Sequence, residues 1–65
     1  MGDRAYTKVR VVGCSAESIE NAVELAIAKA GAEVHWFETV EIRGAVRDDK
    51  VSEWQVTVDL GVKLD

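Results

Sequence analysis

The sequence predicts an α+β domain with the element order β-α-β-β. Three observations carry that reading. Apolar and polar residues alternate near both ends of the chain, over 6–12 and again over 51–64. Between them, residues 19–30 carry apolar side chains at spacings of three and four. The polar cluster Arg47-Asp48-Asp49-Lys50 separates the last two strand-like stretches as a hairpin turn would. Period two marks a strand with one covered face, and a period of three to four marks a helix.

The first strand is expected over Tyr6 to Val12, where Val9 and Val11 alternate with Lys8 and Arg10; Gly13 is expected to end it. Ser15 is the expected helix N-cap. Glu17 and Glu20 fall in the first turns, where the helix dipole favours negative charge. Ile19, Ala22, Val23, Ala26, Ile27 and Ala30 form one apolar stripe, with Glu20 and Glu24 off it. Lys29 suits the helix C-terminus, and Gly31 is the expected C-cap. A stripe rich in alanine lets the helix approach a sheet closely.

Two long strands are expected over Val34 to Val46 and Val51 to Leu64. In the second, Trp54, Val56, Val58, Leu60, Val62 and Leu64 share one face, opposite Glu53, Gln55, Thr57, Asp59, Gly61 and Lys63. An even hairpin loop with Val46 opposite Val51 puts Phe37 with Leu60, Val58 and Val56 under the helix. It puts Trp36, Val40 and Ile42 with Gln55, Thr57 and Gly61 on the other face. An odd loop or a bulge turns these side chains over. Asp-Asp is not a strong type I′ signal, so the sequence leaves the register open. Under the even register a monomer exposes an apolar strip that includes a tryptophan, and such strips mark interfaces or ligand sites.

The 65 residues make one domain, 1–65. A chain of this size buries only about 60% of its unfolded surface, and domains this small usually need a staple. A single cysteine, Cys14, excludes an intrachain disulfide, and a single histidine, His35, leaves no paired Cys/His zinc spacing. Oligomerisation is the staple that remains. The net charge of −4 disfavours nucleic acid as a partner. No apolar run approaches the roughly 18 residues of a membrane span. Residues Met1 to Tyr6 lack an apolar stretch of signal-peptide type, and a lone cysteine suits a reducing compartment. The expectation is a cytoplasmic homo-oligomer.

Enzymatic readings find little support. Cys14 and His35 have no third group to orient them as a dyad. Ser15, Ser18 and Ser52 lack a nucleophile-elbow context, and Gly13 is a lone glycine, not a phosphate loop. Glu38 and Glu41, three apart on a strand, are expected on opposite faces. A binding role is better supported. Trp54 belongs to the regular apolar row, so core packing explains it, whereas Trp36 is free to act as a stacking platform for a planar heteroaromatic ring. Gln55 offers a donor and an acceptor that complement a flavin pyrimidine edge or a nucleobase, and Arg43 suits a phosphate or carboxylate.

The segment Trp36-Phe37-Glu38-Thr39-Val40-Glu41-Ile42-Arg43-Gly44 resembles the WFEVxEIRG signature of the dodecin family. Trp54-Gln55-Val56-Thr57-Val58 resembles that family's aromatic-Gln-Val strand. Gly61-Val62-Lys63-Leu64-Asp65 is similar to its closing motif, and Val12-Gly13-Cys14-Ser15 to its VGxS element. The resemblance spans essentially the whole chain. It implies a β-α-β-β fold whose antiparallel sheet partly wraps one helix, with trimers assembled into a hollow dodecamer. It also implies non-catalytic storage, sequestration and photoprotective quenching of FMN, riboflavin, FAD or lumichrome as stacked pairs between tryptophans at subunit interfaces. It assigns the flavin to Trp36, Gln55 and Arg43, with Lys63 and His35 as further phosphate or pocket contacts and no metal. The alternative is a shell of the same fold that binds another small ligand, such as coenzyme A. Departures from the family pattern fall at His35, Cys14, Val62 and a shortened connection over Ala28 to Glu33.

Overall fold

The computed structural model describes residues 3–64. Met1 and Gly2, part of the N-terminal reading, and Asp65, which closes the last motif, lie outside the described residues. The order is β1 (Ala5–Ser15), α1 (Ile19–Ala30), β2 (Val34–Arg47) and β3 (Lys50–Leu64). The sheet is antiparallel with β3 in the centre, flanked by β1 and β2. Its long strands draw the chain out to 54 × 18 × 13 Å.

β1 runs past Gly13, which pairs with Val56 inside the ladder and does not end the strand. The glycine serves the helix instead. A Cβ at residue 13 would collide with the Ala22 carbonyl and crowd the Ala26 methyl, so the missing side chain lets α1 lie directly on the sheet. The N-cap is Ser18, not Ser15: its hydroxyl accepts from the Asn21 N–H at 2.9 Å. Ser15 still belongs to β1, paired with Trp54. Its buried hydroxyl accepts from the Glu17 N–H at 3.0 Å and donates to the Asn21 side-chain oxygen at 2.7 Å. It therefore fastens the strand end to the helix start. Gly31 caps the C-terminus as expected, with φ 67°.

The core is a two-layer contact. Ala22, Val23 and Ala26 of α1 close on Val56, Val58 and Leu60 of β3, with Val11, Ile27, Ala30 and Val34 packed around them. Trp54 is only half-buried and stands outside this cluster, and Ile19 at the head of the helical stripe is exposed. Helix α1 packs on β1 and β3. β2 meets the core chiefly through Val34, and Phe37 is 50% exposed although it faces the helix side.

The hairpin has a two-residue loop. Val46 pairs with Val51 and Arg47 with Lys50, while Asp48 (φ 52°) and Asp49 (φ 63°) both take the left-handed conformation of a type I′ turn. The even loop is thus correct, but the ladder does not stay in that register. Ser52 is an extra residue in β3, and Val40 and His35 are extra residues in β2. The first two bulges are on opposite strands, so they cancel. Between them, Ile42 pairs with Val56 and moves to the helix side, contrary to expectation. Beyond Val40 the original register returns, and Phe37 opposes Leu60 while Trp36 opposes Gly61, as anticipated.

Candidate ligand-binding face

The face of the sheet away from the helix is open. Its rows follow from the two ladders, because directly paired residues share a face. Tyr6 lies beside Lys63; Lys8, Gly61 and Trp36 form the next row; then come Arg10, Asp59 and Glu38; then Val12, Thr57 and Glu41; and finally Cys14, Gln55 and Arg43.

The five predicted site residues lie at the two ends of this face. Trp36 sits at one end, 37% exposed, with Lys63 one row further out. The bulge at His35 lets two consecutive rings meet one neighbour. Tyr6 stands edge-on to the Trp36 indole at 5.7 Å and to the His35 imidazole at 5.8 Å. His35 Nε2 also lies 3.0 Å from the Glu33 carboxylate. At the other end, Arg43 and Gln55 are direct cross-strand partners. The Ser52 bulge brings them together; without it Arg43 would face the helix side.

The two groups do not meet within one chain. Gln55 and Gly61 are six residues apart on β3, which at roughly 3.4 Å per residue separates the Trp36 row from the Gln55 row by about 20 Å. Cys14 and His35 are equally remote, on different edge strands at opposite ends, and form no dyad. Glu38 and Glu41, by contrast, share the open face, opposite Asp59 and Thr57, because the Val40 bulge restores their alignment. They too are no acid/base pair, since Glu38 accepts from Lys8 Nζ at 2.9 Å.

Charge fills the middle of the face, and sequence reasoning missed it. Arg10 grips Asp59 with two bonds, Nε to Oδ1 at 2.7 Å and Nη2 to Oδ2 at 3.0 Å, and Asp59 is only 7% exposed. The hydrogen bond from Arg10, reinforced by its charge, holds the Asp59 carboxyl below the ordinary aspartate range. Hydrogen bonding to Glu38, together with its charge, raises the Lys8 ammonium. The signal was available as alternate-residue charges on both strands, but only the β1–β3 register aligns them. Near Gln55, hydrogen bonding to the Glu53 carboxylate, then burial, pushes the Cys14 thiol up and disfavours the thiolate.

No group of three or more His, Cys, Asp or Glu suited to a metal occurs among the described residues, and none of their helices is long and apolar enough to cross a membrane. A groove of about 560 Å³ lies between α1 and β2, lined by Ile19, Val23, Ile27 and Phe37 among others. It is on the helix side, away from Trp36, and contains none of the predicted site residues.

A small α+β chain with one short helix, an extended sheet and an uncovered face bearing a tryptophan defines the class of protein. The comparisons give that class its family. The Dodecin family model matches residues 5–65. A dodecin of Thermus thermophilus is 38% identical over 65 residues, covering 95% of this chain and 94% of that one. The solved dodecin of Streptomyces coelicolor superposes with a TM-score of 0.87 at 34% identity, over 100% of this chain and 97% of the other. A solved Thermus thermophilus protein, tt0972, gives 0.88 at 38% identity and 97% coverage of both chains. The chain belongs to the dodecin family.

Proposed function

We propose that this protein binds and sequesters flavin without catalysing its turnover, as a cytoplasmic dodecamer built from trimers. The supporting observation is the half-exposed Trp36 indole on an open face whose polar pair, Gln55 and Arg43, lies about 20 Å away. A tricyclic ring stacked on Trp36 does not reach Gln55 of the same chain. The site is therefore made between copies: one chain gives the indole and a neighbour gives the glutamine and arginine.

The donor set fits a flavin. The indole offers a flat polarisable surface, Gln55 a paired donor and acceptor for the pyrimidine edge, and Arg43 a bidentate cation for an anionic tail. Lys63 and His35, beside Trp36, add a cation and a second ring at the rim. Bound flavin supplies a planar ring that absorbs light and accepts electrons. Trp36 would hold an electron-rich indole against that ring, and a reversible electron transfer between them, with the electron returning to the indole, would quench the excited ring and suppress photochemistry. FMN is the proposed ligand, with riboflavin, FAD and lumichrome sharing the same ring recognition.

The reading is non-catalytic because the two side chains that could drive covalent chemistry, Cys14 and His35, are at opposite ends of the sheet. A fluorescence titration tests it. FMN emission should fall as protein is added and saturate near one flavin per chain. Full emission at high protein concentration, or undiminished quenching by Trp36→Ala, contradicts it.

A further inference from the structure

The Trp36 indole is seated, not merely exposed, and the seat is made by residues of the two other strands. Gly61 is the direct cross-strand partner of Trp36. A Cβ built on Gly61 would fall inside the indole, against Cδ2, Cε2 and Cζ2, the fused bond and the six-membered ring. The six-membered ring thus lies directly on the backbone of the central strand, where any other residue would hold it off. On the β1 side, the Tyr6 ring meets the indole at 5.7 Å and 65°, an edge-on contact that resists rotation about the side-chain torsions. The bulge at His35 turns the imidazole onto the same Tyr6 ring, at 5.8 Å and 61°.

We infer that Gly61 and Tyr6 are positioning residues for Trp36: Gly61 opens the space in which the indole lies against the sheet, and Tyr6 locks it there, so that one aromatic face is presented outward in a fixed orientation. All three strands take part. β2 carries the indole, β3 leaves the gap and β1 supplies the lock. This deepens the flavin reading, on which its functional consequence rests; the seating itself does not depend on it. A preoriented platform binds a planar ring more tightly than a mobile one, because less rotamer freedom is lost on stacking.

The experiment has two arms, read on the full-length chain. The first uses Trp54→Phe as background, which leaves Trp36 as the single tryptophan. Near-ultraviolet circular dichroism of the ligand-free protein then reports the indole's fixed asymmetry. Adding Gly61→Ala or Tyr6→Leu should collapse the Trp36 band while the far-ultraviolet spectrum is retained, and Tyr6→Phe should preserve it. An unchanged Trp36 band in Tyr6→Leu or Gly61→Ala overturns the seat. Should Gly61→Ala not fold, the Tyr6 pair decides. The second arm measures FMN affinity by quenching in the chain with both tryptophans. Gly61→Ala and Tyr6→Leu should each weaken binding by about tenfold, with Tyr6→Phe close to the parent. Parent-like affinity in both weakened variants overturns the positioning role. A parent that does not quench FMN refutes the flavin reading, and the dichroism arm still decides the seat.

Discussion

The two ends of the open face are built differently. At one end, Trp36 is wedged by Tyr6 and backed by the bare strand at Gly61. At the other, Arg43 and Gln55 lie side by side with Cys14, and neither appears in a hydrogen bond or ion pair with another side chain among the described residues. The aromatic end is preorganised within one chain, whereas the polar end has donors and an acceptor left for something outside it. Between them, the Arg10–Asp59 and Lys8–Glu38 pairs occupy the intervening surface. On the proposed flavin reading one chain is half a site: the Trp36 platform and the Gln55–Arg43 pair are about 20 Å apart, so a ligand that needs both must sit between copies.

The comparison can be broken at either end. The largest effect should come from the platform. Trp36→Ala removes the stacking surface and should weaken FMN binding by about 1–3 kcal/mol, the scale of base–aromatic stacking, read by fluorescence titration. Gln55→Ala removes hydrogen bonds and leaves the stack, so it should cost about 1 kcal/mol per bond lost. The quenching at saturation should remain, since the indole is intact. Full quenching with weaker affinity is the signature that separates the polar end from the aromatic one.

The middle of the face gives a pH prediction. The folded-state pKa of Asp59 lies below its unfolded value because Arg10 is bonded to it. Its contribution is therefore complete above the ordinary aspartate value of about 3.9 and is lost as pH falls through the lower folded value. Asp59→Asn should flatten that acid limb when melting temperature is followed against pH, with the neutral-pH fold retained. Smaller still is the turn. Asp49 holds a left-handed conformation at φ 63°, which costs a residue with a side chain about 1 kcal/mol relative to glycine. Asp49→Gly should therefore raise the denaturation midpoint slightly and leave FMN affinity unchanged. A change in affinity would mean that the hairpin tip takes part in the site.

The sequence was legible where periodicity was regular. The Val9–Val11 alternation of β1, the alanine-rich face of α1 and the Val56–Val58–Leu60 row were all readable from alternation and spacing, whereas the pairing of β1 with β3 came from the structure. Trp36 came out on the correct face because the Ser52 and Val40 bulges offset one another. Ile42, between them, came out on the wrong face for the same reason, and so did the relation of Glu38 to Glu41. A bulge has no composition signal of its own, since Ser52, Val40 and His35 are ordinary strand residues. The adjacency of Arg43 and Gln55 depends on one of these bulges and was invisible for that reason. The helix cap failed differently. Two serines three apart both hydrogen-bond near the helix start, and only the geometry shows that Ser18 caps it while Ser15 ties it to the strand.

The central claim is that each site takes its indole from one chain and its glutamine from another. Mixing tests it directly. Trp36→Ala and Gln55→Ala chains, each weak in FMN binding alone, would be unfolded, combined and refolded together, and FMN quenching titrated against each variant refolded separately. If sites lie between copies, mixed assemblies contain some sites that draw Trp36 from one variant and Gln55 from the other, and a tight, strongly quenched fraction reappears. If both residues of a site come from a single chain, every site in the mixture carries one defect or the other, and the titration is the sum of the two weak ones.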